Sequence, residues 1–109
     1  MKKRIAFKSR FRWPLLNGIK TCTARTRKMA SVGDTFEAFG ATFEIVLLER
    51  PTLLTIRDKM WVAEGCDSPA DFEAIWRSLH PRMGFQPDRK VSVHHFKLVD
   101  CKDWESDDA

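Results

Sequence analysis

Side chains able to do chemistry crowd into one segment, GIKTCTAR, Gly18–Arg25: the Lys20 amine, the Thr21 and Thr23 hydroxyls and the Arg25 guanidinium. A threonine hydroxyl is inert as a nucleophile until a base removes its proton. A lysine becomes such a base when desolvation and neighbouring cations, here Arg25 and Lys28, lower its pKa. A guanidinium beside them would stabilise an oxyanion. These are parts that hydrolysis of an amide requires, short of a proton donor for the leaving amine. In an extended strand Thr21, Thr23 and Arg25 point to one face, and Cys22 and Ala24 to the other. Hydroxyls and a guanidinium are costly to bury without partners, so that face is either solvent or a pocket.

The elements that must hold this segment can be read along the chain. Ile5 to Phe7 fits a short opening strand. Arg12 to Asn17 fits a short helix, with Pro14 in its first turn and Gly18 just past its end. The threonine-rich alternation of Thr21 to Arg27 predicts a strand. Ser31–Asp34 is a turn in which Asp34 is a turn residue, Thr35 to Phe39 a second alternating strand, and Gly40-Ala41 a tight connection. Thr42 to Leu48 is almost continuously apolar, which predicts a strand buried on both sides.

Pro51 ends that strand, and Leu53 to Glu64 has a helical pattern stopped by Gly65. Ser68-Pro69-Ala70-Asp71 is a strong helix start, with Ser68 as N-cap and Asp71 closing a capping-box-like motif. Phe72, Ile75, Trp76 and Leu79 then fall on one apolar face. Lys90 to Leu98 is a closing strand. Its pattern switches face between Val93 and Phe96, which a bulge near His94-His95 would reconcile. Those two histidines point to opposite faces and cannot share a metal. Helices do not alternate with strands, so the order favours a small α+β fold built on a partly closed barrel of about five strands with two or three helices.

Composition sets outer limits. The chain has 109 residues, enough for one domain that buries roughly 65% of its unfolded surface. It is 43% hydrophobic with eight Phe and four Trp, which supplies a core and argues against disorder. No apolar run approaches the ~18 residues of a membrane span. The basic opening MKKRIAFKSRFRW lacks the apolar stretch of a signal peptide. Cys22, Cys66 and Cys101 form no CxxC pair and leave no complete disulfide framework, as expected of reduced thiols in the cytoplasm.

The net charge of +4 hides an asymmetry. Every charged residue before Asp34 is basic, whereas Asp100, Asp103, Glu105, Asp107 and Asp108 dominate the end of the chain. The expected organisation is a domain over residues 1–99 and an acidic tail over 100–109. A basic face raises the local concentration of phosphates, unless carboxylates from elsewhere in the fold neutralise it.

GIKTCTAR, the turn Val32–Asp34, the triplet Ala63–Gly65, the segment SPADFEAIW and a closing strand ending FKLV together resemble the ASCH domain family, in order, over roughly Ile5 to Val99. The resemblance implies a PUA-like β-barrel, a fold tied to RNA and modified nucleosides. Within that family, small bacterial N4-acetylcytidine amidohydrolases use a lysine and a threonine from a G-x-K-T-x-T-x-R segment and a glutamate from a later helix end. By position these are Lys20, Thr23 and Glu64, with Arg25 the arginine of the segment; Thr26 and Arg27 follow it where those enzymes tend to carry an acidic residue.

The implied reaction removes an acyl group from the exocyclic amine of an N4-acylated cytidine, without metal or cofactor. Thr23 would be the nucleophile, Lys20 the base and Glu64 the proton donor or orienter; alternatively, Lys20 and Glu64 activate a water. Thr21 and Arg25 are candidate substrate contacts. Trp13 and Trp61 are candidates to stack on the pyrimidine, or else core residues. The partner is then a modified pyrimidine nucleoside or RNA, and the protein a monomer or weak dimer. Two other readings are an RNA-binding module without catalysis and a metal-independent ribonuclease relying on Lys20 and nearby basic residues.

Overall fold

Residues 1–101 are described by a computed structural model. The acidic run from Lys102 onward lies outside the described residues, whereas Asp100 and Cys101, expected in the tail, end the last strand. The elements are β1 (Lys2–Lys3), a 3-10 turn (Ser9–Phe11), α1 (Arg12–Leu16), β2 (Cys22–Arg25), β3 (Thr35–Ala38), β4 (Ala41–Glu49), α2 (Leu53–Lys59), α3 (Pro69–Leu79) and β5 (Ser92–Cys101). The strands form one sheet in the order β1-β3-β4-β5-β2, parallel between β1 and β3 and antiparallel elsewhere. Among the described residues this is the expected small α+β fold, with five strands and three helices.

Local chemistry accounts for most of these boundaries. Ser68 caps α3 by accepting from the Asp71 amide at 3.0 Å, and Pro69 occupies the first turn. Asp71 does not complete a capping box. Its carboxylate accepts from the Asp67 amide at 2.9 Å and pairs with Arg10 at 2.7 Å, tying α3 to the 3-10 turn. The β3–β4 hairpin turns through Phe39 and Gly40, both at positive φ (52° and 80°), the backbone of a two-residue primed turn between the Ala38–Ala41 pair. Thr52 caps α2 through the Thr55 amide at 3.2 Å.

Three expectations change. The segment Ile5 to Phe7 is not a ladder strand. It bridges the two sheet edges: Arg25 on β2 donates to the Ala6 carbonyl at 2.7 Å, and the Phe7 ring lies 5.6 Å from Phe36 on β3. The helix expected to run to Glu64 ends at Lys59, and consecutive turns carry the chain on to Gly65. The strand buried on both sides is not β4, where Val46 and Leu47 are 42% and 49% exposed, but the first half of β5, where Ser92, Val93 and His94 are all buried. The reason is what covers the faces: Val93 packs into the cluster beneath the helices and the Met29 loop bonds to His94, whereas β4, past its last β3 pairing at Glu44, bulges at Val46 between its pairings to Phe96 and His95. The irregularity expected near His94-His95 therefore sits on the facing strand.

Two apolar clusters fill the interior. One is built on Phe36, Phe43 and Phe96, whose ring centroids lie 5.2–5.4 Å apart in stacked and edge-on pairs. The other gathers Leu53, Ile56, Phe72, Trp76, Val91 and Val93 beneath α2 and α3. Truncating a fully buried ring at the centre of the first cluster leaves a cavity that neighbours cannot refill. Phe36→Ala is expected to lower the unfolding free energy by about 3–5 kcal/mol. Val46→Ala, on the exposed bulge, should change it by under about 0.5 kcal/mol. Urea denaturation monitored by Trp fluorescence measures both.

Candidate active site

Lys20 is brought inside by the backbone around it. After α1 the chain reverses at Gly18 (φ 73°), and the Ile19 and Lys20 amides both donate to the Pro14 carbonyl. The Thr21 and Cys22 amides then both donate to the Ala63 carbonyl at 2.8 and 3.2 Å, so the start of β2 is tied to the turn carrying Glu64. Gly65 (φ 82°) lets the lysine stem lie against that turn. A Cβ there would sit 3.0 Å from Lys20 Cβ and 3.2 Å from its Cδ.

The result is a buried ion pair, with Lys20 3% and Glu64 5% exposed. Lys20 Nζ donates to the Glu64 carbonyl at 2.7 Å, to the Cys22 carbonyl at 2.9 Å and to Glu64 Oε1 at 3.4 Å. Each proton of an ammonium thus has an acceptor. The Phe11 ring centroid lies 4.6 Å from Nζ, an added cation–π contact. Cys22 Sγ lies 3.5 Å from Glu64 Oε2, with the thiol as donor. Burial, reinforced by Glu64, pushes the Cys22 thiol far up, and burial pushes Cys66 up to about 12. Neither sulfur is a nucleophile at neutral pH.

Thr23 is held from two sides. Its hydroxyl oxygen accepts from Arg25 Nε at 3.1 Å, which leaves its own proton free for a base. Its carbonyl faces Nδ1 of the fully buried His94 at 3.4 Å, while His94 Nε2 accepts from the Met29 amide at 2.8 Å. Only the neutral ring protonated at Nδ1 makes both bonds. Burial lowers the pKa of His94, against the opposing effect of its bond to Thr23. Burial also lowers that of Arg25, countered by Glu64, but a guanidinium stays charged.

Lys20, Thr23, Arg25 and Glu64 line one cavity of about 350 Å³ at the seam of the two apolar clusters. Its walls are Phe7 and Phe11 on one side and Phe72 and Trp76 on the other. Glu64 is the one carboxylate among the described lining residues; Lys8, Arg27 and His80 stand with the other cations and polar groups. The volume and the apolar walls with few convergent polar groups are those of a small-molecule site.

The expected substrate contacts divide. Arg25 shares the cavity, but Thr21 precedes β2, is exposed and does not line it. Trp13 stands 64% exposed on α1, and Trp61 packs half-buried on the second cluster; neither reaches the cavity. The aromatic wall comes instead from Phe7, Phe11, Phe72 and Trp76. Helical spacing had marked Phe72 and Trp76 only as core, because a wall and a core share one apolar pattern. His94 carried no sequence signal beyond its strand parity, since its partners are backbone atoms 65 and 71 positions away.

His94 gives the site a pH dependence with a definite sign. Its folded pKa is lowered, so its contribution is intact above the ordinary histidine value of about 6.5 and is lost as pH falls through the folded value. Unfolding free energy is expected to drop on acidification below about pH 6.5, with faster exchange of the Met29 amide proton. His94→Gln should flatten that slope. His80, whose pKa burial also lowers, contributes in the same direction, and His80→Gln separates the two. Urea titrations at a series of pH values and amide exchange by NMR measure these effects.

No family model matches the chain, and no curated protein matches it in sequence. Solved structures do match its shape. An ASCH domain from Lactobacillus crispatus JV V101 superposes with a TM-score of 0.63 at 15% identity, covering 91% of this chain and 79% of that one. A protein from Enterococcus faecalis V583, described under the DUF984 family model, gives 0.65 at 20% identity, covering 89% and 72%. A hypothetical protein gives 0.71 at 12% identity, covering 91% of this chain and 100% of its own. At such identities the likeness is one of fold: the chain has the fold of the ASCH domain, the family its GIKTCTAR and Ala63–Gly65 segments resemble.

Proposed function

We propose that this chain is an amidohydrolase that removes the acyl group from the exocyclic amine of an N4-acylated cytidine or cytosine. The single observation that carries the reading is the cavity shared by Lys20, Thr23, Arg25 and Glu64, with the first and last in a buried ion pair.

The chemistry follows from that pair. In water an ammonium and a carboxylate stay charged. When a planar substrate fills the cavity and displaces water, the neutral amine and neutral acid gain relative to the ion pair. A proton passing from Lys20 to Glu64 Oε1, 3.4 Å away, leaves a base and an acid side by side. Lys20 then takes the Thr23 proton as Oγ1 attacks the acyl carbon. The oxyanion develops beside the Arg25 guanidinium. Glu64 protonates the departing N4 nitrogen, cytidine leaves, and the Lys20–Glu64 ion pair is restored. Water cleaves the acyl-threonine ester and releases the carboxylic acid. In the variant mechanism the pair activates a water directly and no ester forms.

Incubated with N4-acetylcytidine, the protein is expected to release cytidine and acetate; no turnover at high enzyme concentration would reject the reading in favour of a binding module. The conservative variants Thr23→Val, Lys20→Met and Glu64→Gln should each lower kcat/KM by about 10²-fold or more while circular dichroism stays native. A wild-type rate in Thr23→Val would remove the nucleophile role and leave the water mechanism.

A further inference from the structure

Carboxylates neutralise part of the basic N-terminal third. Lys2 pairs with Glu37 at 3.1 Å, Arg10 with Asp71 at 2.7 Å and Lys20 with Glu64 at 3.4 Å. Arg57 and Arg77 on the helices share Glu73 at 2.8 and 2.9 Å. Two cations that line the cavity are left out. Lys8 precedes the 3-10 turn and Arg27 follows β2; both are exposed, and neither side chain has a hydrogen-bond or ion-pair partner among the described residues. Thr26, with its hydroxyl, lines the same cavity between Arg25 and Arg27. The loop carrying Arg27 is pinned two residues later by the bond from the Met29 amide to His94.

The polar lining is therefore graded with depth. The ion pair and Thr23 lie buried at the floor, the half-buried Arg25 comes next, and two uncompensated cations stand exposed at the mouth. We infer that Lys8 and Arg27 form a phosphate subsite, so that the ligand is a 5′-phosphorylated nucleotide, free or at the end of a strand, rather than a nucleoside. This rests on the proposed reading of the floor. In a cytidine the N4 substituent and the ribose stand at opposite ends of the ring. An acyl amide placed at the floor directs the ribose, and beyond it the 5′ oxygen, toward the mouth. Ammonium, guanidinium fork and hydroxyl are complementary to a phosphate, and a dianion would gain charge-assisted hydrogen bonds there that a 5′ hydroxyl cannot make.

The test reads binding, independently of turnover. Calorimetry with cytidine and cytidine 5′-monophosphate at low salt is expected to give an affinity about tenfold or more higher for the nucleotide, a gap that added salt narrows. Lys8→Ala/Arg27→Ala should close the gap and leave cytidine binding unchanged, and Arg27→Glu should invert it. Ribose 5-phosphate, which has no base, should still bind wild type more tightly than ribose does, and by the same two residues. If it does while neither cytidine ligand binds, the subsite stands and the pyrimidine reading falls. Short 5′-phosphorylated oligocytidylates that bind more tightly than the mononucleotide, through the same residues, assign the phosphate to a strand end. Equal affinity for cytidine and its 5′-monophosphate, together with no preference for ribose 5-phosphate, overturns the subsite. So does a gap that survives the double variant.

Discussion

Lys20 and Glu64 lie 44 residues apart in the chain and meet inside it. An isolated charge in such a place costs several kcal/mol, so the surrounding backbone has to supply acceptors in the right number and direction. It does so with the Cys22 and Glu64 carbonyls, on the two segments that the Ala63 carbonyl already joins. The pair is therefore also a clamp between the start of β2 and the turn after α2. Gly65 is the condition for it, because any side chain there would meet the lysine stem. A buried pair is weak evidence for stability in general, since well-packed apolar residues often do as well. Here it stands at the floor of the cavity, where the proposed reaction would use it as acid and base.

The cavity exists because the interior is two clusters rather than one. The three-phenylalanine cluster belongs to the sheet, and the second belongs to the helices and the first half of β5. Where they meet, the ladder does not close: β1 and β2 are the two edges of the sheet, and the segment through Ala6 and Phe7 spans the gap with one side-chain bond and ring packing. That arrangement leaves space at the seam while keeping its walls apolar and its floor residues buried, the setting in which charge and hydrogen bonding act most strongly.

His94 is the second node. One neutral ring holds the carbonyl of Thr23 and the amide of Met29, so the candidate nucleophile and the loop bearing Arg27 are set by the same side chain. Its burial between two strands fixes the tautomer. The deep chemistry and the basic rim are mechanically linked, although no residue belongs to both.

Much was legible in the residues themselves. Ser68-Pro69 capped a helix, the tight connection expected at Gly40-Ala41 formed one residue earlier at Phe39-Gly40, and strand parity turned Thr23 and Arg25 the same way, because each depends on backbone conformation over a few neighbours. The order of GIKTCTAR and the Ala63–Gly65 triplet pointed to Lys20, Thr23 and Glu64 as a group through family resemblance. What only the tertiary structure decided was every question of enclosure: that the Thr23 face is a pocket and not solvent, that Trp13 and Trp61 stay outside while Phe72 and Trp76 form the wall, that the first half of β5 rather than β4 is covered on both faces. Apolar periodicity records that a side chain is shielded from water but not by what. Burial, ion pairing and the choice between core and cavity wall depend on partners tens of residues distant, and those exist only once the chain has closed on itself.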